Sequence, residues 1–283
     1  MIFMKKYSKY VIGAIVFGTI FIILNLILSQ KYISVTRYEY KNPRITGDFK
    51  VVHLTDLHNY QFGTKNHRLV EKVREKNPNL ILLTGDMLNE DETRTDICID
   101  LVEQLVEIAP AYVSLGNHEM EYMNRVGNNN LISEIEQAGA VVLNEQYIDM
   151  EVNGVPVRLG GVYGYVLAPD KVKNSEQAFM EEFQDTDRFK ILLSHVPEGL
   201  LLWKSMEYWD VDLVFSGHVH GGQVRLPFIG GLFDPEEGLF PTYTKGMFKC
   251  GNGTMILSAG LGSSRGRLRI NNFPEMVVCE IGK

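Results

Sequence analysis

Short apolar segments alternate along the chain with stretches in which apolar residues recur every three to four positions, and this pattern predicts strands that alternate with helices. Strands are expected at residues 50–55, 80–83, 112–115, 189–193 and 211–215. Helices are expected near residues 66–76, 97–108, 131–137, 175–183 and 198–206. The order of these elements is typical of an α/β fold.

A strand-rich part follows the first strand–helix units. Asn153-Gly154 lies between predicted strands at 147–152 and 155–161, and this dipeptide favours a type I′ hairpin turn. More strands are expected at 223–226, 254–258 and 276–281. We therefore expect α/β layers around two sheets rather than separate domains.

The N-terminus differs from the rest, because nearly every residue from 10 to 29 is apolar and Asn25 is the only strongly polar one. A helix of about 20 apolar residues crosses a hydrocarbon core of about 30 Å. A cleaved signal peptide and a buried core helix are the alternatives. The stretch is longer than a typical signal-peptide core, no A-x-A-like site follows it, and it has no polar stripe. An uncleaved anchor is therefore the expectation.

The expected organisation is an N-terminal membrane anchor at 1–30, a polar connector at 31–48 and a globular domain at 49–283. Lysines before the apolar run suit a cytoplasmic N-terminus, although basic residues after it weaken this charge asymmetry. Long domains are translocated largely regardless of charge. We expect a single-pass protein whose globular domain lies outside the cytoplasm.

Composition narrows the chemistry. A net charge of −7 provides no basic footprint for nucleic acid, so no nucleic-acid partner is expected. Cys98, Cys250 and Cys279 lie far apart and form no C-x-x-C pair, which argues against a disulfide framework and a thiolate zinc site.

Residues that can bind a metal follow five of the predicted strands directly. They are Asp56 and His58, Asp86, Asn117 and His118, His195, and His218 and His220. The chain has seven histidines, and five of them are in this set. Because ligands of open α/β sheets bind outside the carboxyl ends of the strands, we expect these side chains to converge.

Each of these short patterns has an ordinary interpretation on its own, as a turn, a helix cap or a packed histidine. Their occurrence together, each at the end of a predicted strand, argues against five independent accidents. Carboxylate and imidazole ligands without thiolates suit Mn, Fe or Zn. Such a set leaves two divalent cations under-neutralised, which favours a phosphate oxyanion.

Asp56-x-His58, Gly85-Asp86, Gly116-Asn117-His118-Glu119, His195 and Gly217-His218-x-His220 together resemble the calcineurin-like metallophosphoesterase superfamily in content and order. Residues 217–223 further resemble a membrane-associated branch with the sequence GHxHGGQ. The resemblance implies a four-layer αββα sandwich. Tyr60 departs from the glycine that many members have two residues after the first histidine, which leaves the shape of the first loop open.

The resemblance also implies roles for the site residues. Asp56, His58 and His220 would bind one of two divalent ions, Asn117, His195 and His218 the other, and Asp86 would bridge them. His118 would lie just outside the ions and face the substrate together with Asn117. Glu119 would orient a ligand or be a surface charge. Arg265 would contact an anionic substrate or lie in a solvated basic loop.

The implied activity is hydrolysis of a phosphodiester or phosphomonoester by attack of a metal-bridged hydroxide. A lipid-linked pyrophosphatase or phosphatase is an alternative, because apolar residues recur between Leu226 and Phe240 and can contact an acyl chain. A non-catalytic metal-binding scaffold is disfavoured, because the full ligand set is present. A nuclease is disfavoured by the acidic balance.

Overall fold

The computed structural model describes residues 2–127, 130–169 and 175–283. The helices are α1 (Ile2–Lys31), α2 (His67–Arg74), α3 (Asp96–Val106), α4 (Asn117–Val126), α5 (Asn130–Gln137), α6 (Ser175–Gln184) and α7 (Glu198–Leu201). The strands are β1 (Ser34–Lys41), β2 (Phe49–Leu54), β3 (Leu80–Thr84), β4 (Ala111–Ser114), β5 (Val141–Val142), β6 (Gln146–Val152), β7 (Val155–Val162), β8 (Phe189–Ser194), β9 (Leu213–Ser216), β10 (Arg225–Leu226), β11 (Gly230–Gly231), β12 (Phe233–Asp234), β13 (Gly238–Leu239), β14 (Gly246–Cys250), β15 (Gly253–Leu257) and β16 (Glu275–Gly282).

Two six-stranded mixed sheets form the centre of the fold. The first has the strand order β1-β16-β2-β3-β4-β5, and the second has the order β14-β15-β9-β8-β7-β6. Strands β2 to β5 run parallel to one another, as do β7, β8, β9 and β15. The expected α/β class with two sheets is confirmed.

Because successive side chains of a strand point to opposite faces of the sheet, the apolar core is divided into three clusters. Val51 belongs to an apolar cluster that also contains Leu159 and Phe215 of the second sheet. Its neighbour Val52 points to the opposite face and joins a cluster with residues of α2, α3 and α5. A third cluster joins the second sheet to α6 and α7, through Phe183 among others. Both faces of each sheet are thus buried at its central strands, which explains why β3, β4 and β9 are almost wholly apolar.

The sequence predicted most central strands within a residue or two, and the structure differs elsewhere. Residues 34–41 of the predicted connector form β1, which pairs with β16 along its whole length. Asn153 and Gly154 have φ values of 48° and 76°, as a type I′ turn requires. The helix expected near 198–206 ends at Leu201, and only a short 3₁₀ turn follows at Ser205–Glu207. The strand expected at 223–226 is reduced to β10.

Helix α1 projects from the domain. Its stretch Tyr10–Lys31 is long and apolar enough to cross a membrane, a test that a signal sequence also passes, and only 6% of its most apolar window is buried. Asn25 is buried, and its Oδ1 accepts a hydrogen bond from the backbone N–H of Asn271 at 2.6 Å. The one strongly polar residue of the apolar stretch 10–29 therefore contacts the globular part of the chain.

Candidate metal centre

The carboxylate of Asp86 lies at the centre of the converging loops. Its Oδ2 is 3.1 Å from His195 Nε2, 3.7 Å from His118 Nε2 and 3.8 Å from His58 Nε2. These residues follow or adjoin β3, β8, β4 and β2, so the carboxyl ends of both sheets meet at one point. The strand-end residues predicted from the sequence are brought together as expected.

Near Asp86, histidine and aspartate side chains form groups whose nitrogen and oxygen atoms lie close enough together to bind a metal ion. Asp56, His58 and His220 form one group and Asp86, His195 and His218 another, with the donor atoms in each group within 4.8 Å of one another. His58 Nε2 is 3.2 Å from His220 Nε2, and His218 Nδ1 is 3.3 Å from His195 Nε2. Nitrogens this close are well placed to share a cation. A third group joins His118 to Asp86 and His58.

Two histidines are held so that one ring nitrogen stays available. His195 Nδ1 lies 2.6 Å from the carbonyl oxygen of Thr84, and His58 Nδ1 lies 3.0 Å from Asn89 Oδ1. A proton on each Nδ1 leaves Nε2 facing Asp86, an orientation typical of metal-binding histidines. Asn117 Oδ1 is buried and has no hydrogen-bond partner within residues 2–127, 130–169 and 175–283. The donor set therefore fits a divalent cation.

Burial and charge set the ionisation of the centre. Burial lowers the pKa of His58 and of His218 to about 4, so both rings are neutral and keep a lone pair. Burial opposes ionisation of Asp86, but His195 and the other rings outweigh it and hold the pKa of Asp86 well below its usual range. Burial likewise lowers the pKa of His195, yet Asp86 raises it to about 10. A cation can replace the proton between these two groups.

The backbone of the loops is strained where the donors lie. Asp56, His58, Asp86, His218 and His220 all have positive φ, at 53°, 48°, 52°, 75° and 47°. This conformation costs a residue with a Cβ roughly 1–2 kcal/mol. Strain at five of the donor positions indicates that side-chain placement outweighs local stability there.

Gly116 and Gly217 leave room for the two carboxylates. A Cβ on Gly116 would overlap Asp86 Oδ1, and one on Gly217 would overlap Asp56 Oδ2. The backbone N–H of His118 donates to Asp86 Oδ1 at 2.9 Å, and that of His218 donates to Asp56 Oδ1 at 3.0 Å. Each loop thus approaches the carboxylate closely enough to fix it.

Glu119 joins two of the loops from below the centre. Its Oε2 accepts from the backbone N–H groups of Asp86 at 2.7 Å and Gly116 at 2.8 Å. Its Oε1 accepts from Met87 at 2.7 Å and Leu88 at 3.3 Å. Only 2% of Glu119 is exposed, so it is not a surface charge but a support that holds the Asp86 loop against the start of α4.

Glu90 was not predicted from the sequence. Its backbone N–H donates to His118 Nδ1 at 3.2 Å, and its carboxylate lies close to the same ring. The carboxylate also pairs with Arg265, whose Nε lies 2.9 Å from Glu90 Oε1. The guanidinium expected to contact substrate is therefore engaged by Glu90, although Arg265 still lines the cleft. Nothing local distinguishes Glu90 from Asp91 and Glu92, so its role had no signal in the sequence.

Above the donors lies a cleft of about 280 Å³, lined by Asp86, Asn117, His118, His218 and His220 among others. A sequence profile of calcineurin-like phosphoesterases matches residues 49–222, which contain every one of these residues. The chain belongs to the calcineurin-like phosphoesterase family. It is a metal-dependent phosphoric ester hydrolase, and the family implies divalent ions at this centre.

Relatives of this phosphoesterase match most of its length. The uncharacterized metallophosphoesterase YkuE of Bacillus subtilis is 27% identical over 81% of the chain and 78% of its own length. The phosphodiesterase YaeI of Escherichia coli is 29% identical over 82% of both chains. Among solved structures, the sulfate thiohydrolase SoxB of Thermus thermophilus aligns over 88% of this chain and 58% of its own, with 12% identity and a TM-score of 0.48.

Proposed function

We propose that this phosphoesterase hydrolyses phosphodiesters or phosphomonoesters at a centre of two divalent ions, with Mn, Fe or Zn as the candidates. The position of Asp86 between two donor groups carries the proposal, because a single carboxylate within reach of both can be shared. The proposed ligands are Asp56, His58 and His220 for one ion, Asn117, His195 and His218 for the other, and Asp86 for both.

Such ions, when bound, supply Lewis-acid charge and an activated water for attack on phosphorus. The side chains of the protein orient the ligands and can supply a proton to the leaving group. Neutral His58 and His218 hold lone pairs toward the centre, and Asp56 and Asp86 are fixed by backbone N–H groups. His118 is held at Nδ1 by Glu90, so its Nε2 faces the cleft, where it can stabilise or protonate a leaving oxygen.

His118→Ala should slow hydrolysis of an ester with a poor leaving group more than hydrolysis of a nitrophenyl ester, because a good leaving group needs no proton. General acid help is typically worth about 10²–10⁴-fold. The measurement is kcat for an alkyl and a nitrophenyl ester of the same phosphate in wild type and variant. Equal losses for both esters would exclude the acid role.

We also propose that residues 1–30 anchor the chain, that 31–48 connect to the domain at 49–283 with residues 34–41 adding an edge strand, and that the domain lies outside the cytoplasm. The exposed apolar side chains of α1 support the anchor. The two sheets and three apolar clusters support assignment of the domain to the four-layer αββα type.

A lipid-linked phosphoester is a second candidate substrate. Phe228 and Ile229 form the exposed tip between β10 and β11, with 107% and 64% of their surface accessible. The carbonyl of Arg225 at the base of this hairpin accepts from Asn271, the residue that also binds Asn25 of α1. The base of the hairpin with the apolar tip is thus linked through Asn271 to α1, which favours a substrate held in the membrane.

One experiment tests these proposals on the full chain. After an alkaline wash of membranes the protein should stay in the pellet, and after solubilisation in detergent it should hydrolyse bis-nitrophenyl phosphate or nitrophenyl phosphate. EDTA should abolish this activity, and added Mn²⁺ should restore it, with about two ions per chain measured by mass spectrometry. A lipid phosphate in mixed micelles completes the substrate panel.

Each part has its own contrary outcome. Release by the alkaline wash would refute the anchor. Activity that survives complete metal removal, or no turnover of any ester with metal bound, would refute the hydrolytic centre. Faster turnover of every soluble ester than of the lipid phosphate would refute the lipid candidate alone.

A further inference from the structure

Several carboxylates besides Asp86 line the same cleft as the candidate metal ligands, and three of them, on Glu198, Asp234 and Glu236, have no role in the centre described above. Only 4% of Glu198 and 2% of Asp234 is exposed. Glu198 Oε2 and Asp234 Oδ2 have no hydrogen-bond partner among the residues that the structure describes. A buried carboxylate oxygen without a partner costs on the order of 1–3 kcal/mol, and burial raises the pKa of the Glu198 carboxyl to about 7 for the same reason. Two such oxygens in one cleft indicate that a cation completes them.

Local structure positions the carboxylates of Glu198 and Asp234 in the cleft beside the candidate metal ligands. Glu198 begins α7, three residues after His195 at the end of β8. Asp234 ends β12, and its Oδ1 accepts from the backbone N–H groups of Glu236 and Glu237 at 2.9 and 3.0 Å. Local backbone groups therefore bind Oδ1 of Asp234, whereas Oδ2 has no partner among the described residues.

A stacked aromatic pair adjoins the carboxylates. The rings of Tyr165 and Trp203 have centroids 5.0 Å apart and an interplanar angle of 26°, and 37% and 48% of these residues is exposed. The backbone N–H of Trp203 donates to the carbonyl of Glu198 at 2.9 Å, so the pair lies next to the segment that carries Glu198, at the edge of the cleft. Burial, followed by the negative charges of Glu236 and Glu198, raises the pKa of the Tyr165 phenol. Aromatic faces beside carboxylates are the surroundings that organic cations prefer.

These surroundings do not suit another metal ion. In the described part of the chain, three groups of side chains bring their donor atoms close enough together to bind a metal ion. None of these groups contains Glu198, Asp234 or Glu236. Aromatic faces also do not ligate hard divalent ions. An ammonium group that carries alkyl substituents matches both features, because its charge faces the carboxylates and its C–H groups face the rings.

We propose that this wall binds an alkylammonium group, so that the preferred substrates are phosphoesters whose alcohol carries an amino or quaternary ammonium group. This inference rests on the proposed function and names the substrate class of the same site. Arg265 and Arg267 line the cleft too, so it offers positive charge for the phosphate as well as negative charge for the ammonium. A zwitterionic ester matches this arrangement.

The test compares two phosphodiesters with the same leaving group, nitrophenyl phosphorylcholine and its uncharged 3,3-dimethylbutyl isostere. In both, water adds to phosphorus, the bond to nitrophenol breaks, and an alkyl phosphate remains. The full chain in detergent with Mn²⁺ should show a kcat/KM about tenfold higher for the choline ester. The ratio does not depend on the fraction of folded protein, because both esters are measured on the same sample.

Substitutions in the cleft test which residues cause the preference for the choline ester. Glu198→Gln, Asp234→Asn and Tyr165→Leu should each reduce the ratio towards one. Glu121→Gln is the matched control, because it removes an exposed negative charge from the α4 side of the same cleft and should leave the ratio unchanged. Glycerophosphocholine and phosphatidylcholine in mixed micelles then tell a soluble ester from a lipid head group.

The failures of the two proposals differ. If no ester is hydrolysed, the proposed function fails. If both esters are hydrolysed with a ratio near one, or if Glu121→Gln lowers the ratio as much as Glu198→Gln, the ammonium site is refuted while the hydrolase stands. A loss of bound metal in Glu198→Gln and Asp234→Asn would show a further metal site instead.

Discussion

Asp86→Ala should remove metal from both halves of the centre and lower kcat/KM by on the order of 10³-fold or more. Its Oδ2 is the one carboxylate oxygen within 3.8 Å of three imidazoles in the described chain. Loss of residues that merely orient ligands typically costs about 10–100-fold, so the loss of a shared ligand should cost more. The variant also leaves His195 without the carboxylate that now pairs with it.

Metal content and kcat/KM should be measured on the same preparation, with circular dichroism as the check on folding. Asp91→Ala is the control, because it removes an exposed carboxylate from the same loop and should keep both metal and activity. A folded Asp86→Ala protein that retains two tightly bound ions would contradict the bridging role.

The convergence of the donors was predictable because it depends on two local signals. Apolar runs mark the parallel strands β2, β3, β4, β8 and β9, and an aspartate, asparagine or histidine follows the carboxyl end of each, with a glycine before it after β3, β4 and β9. Parallel strands in a sheet must end at the same edge, so residues far apart in sequence meet. The face of the sheet on which each strand residue lies then follows from the alternation of side chains along the strand.

Other features depended on partners that the sequence does not display. The exposure pattern of β1 alternates between half-buried and exposed, because an edge strand packs on one side, and its polar composition matched a connector. The start of α4 at Asn117 went unpredicted because the glycine before it also fits a turn. Which acid of the Glu90–Glu92 run turns inward is decided by His118 and Arg265 from distant segments.

Glu119→Gln should destabilise the protein and weaken metal binding together. The carboxylate accepts four backbone N–H groups from two loops, and an amide NH₂ in place of one oxygen would face donors rather than accept from them. Hydrogen bonds to a charged group contribute about 1.5–3 kcal/mol each, so the loss of two should cost about 3 kcal/mol or more. The melting temperature should fall by roughly 6–12 °C.

The metal affinity should fall with it, by about 10–100-fold, because Asp86 and Gly116 lose the group that holds their loops together. Glu121→Gln is the matched comparison, since it changes the same residue type on the same helix at an exposed position and should shift the melting temperature by no more than about 1 °C. Thermal unfolding of metal-free protein separates the two effects, because stabilisation by bound ions is then absent. Equal melting temperatures for both metal-free variants would show that Glu119 does not support the loops.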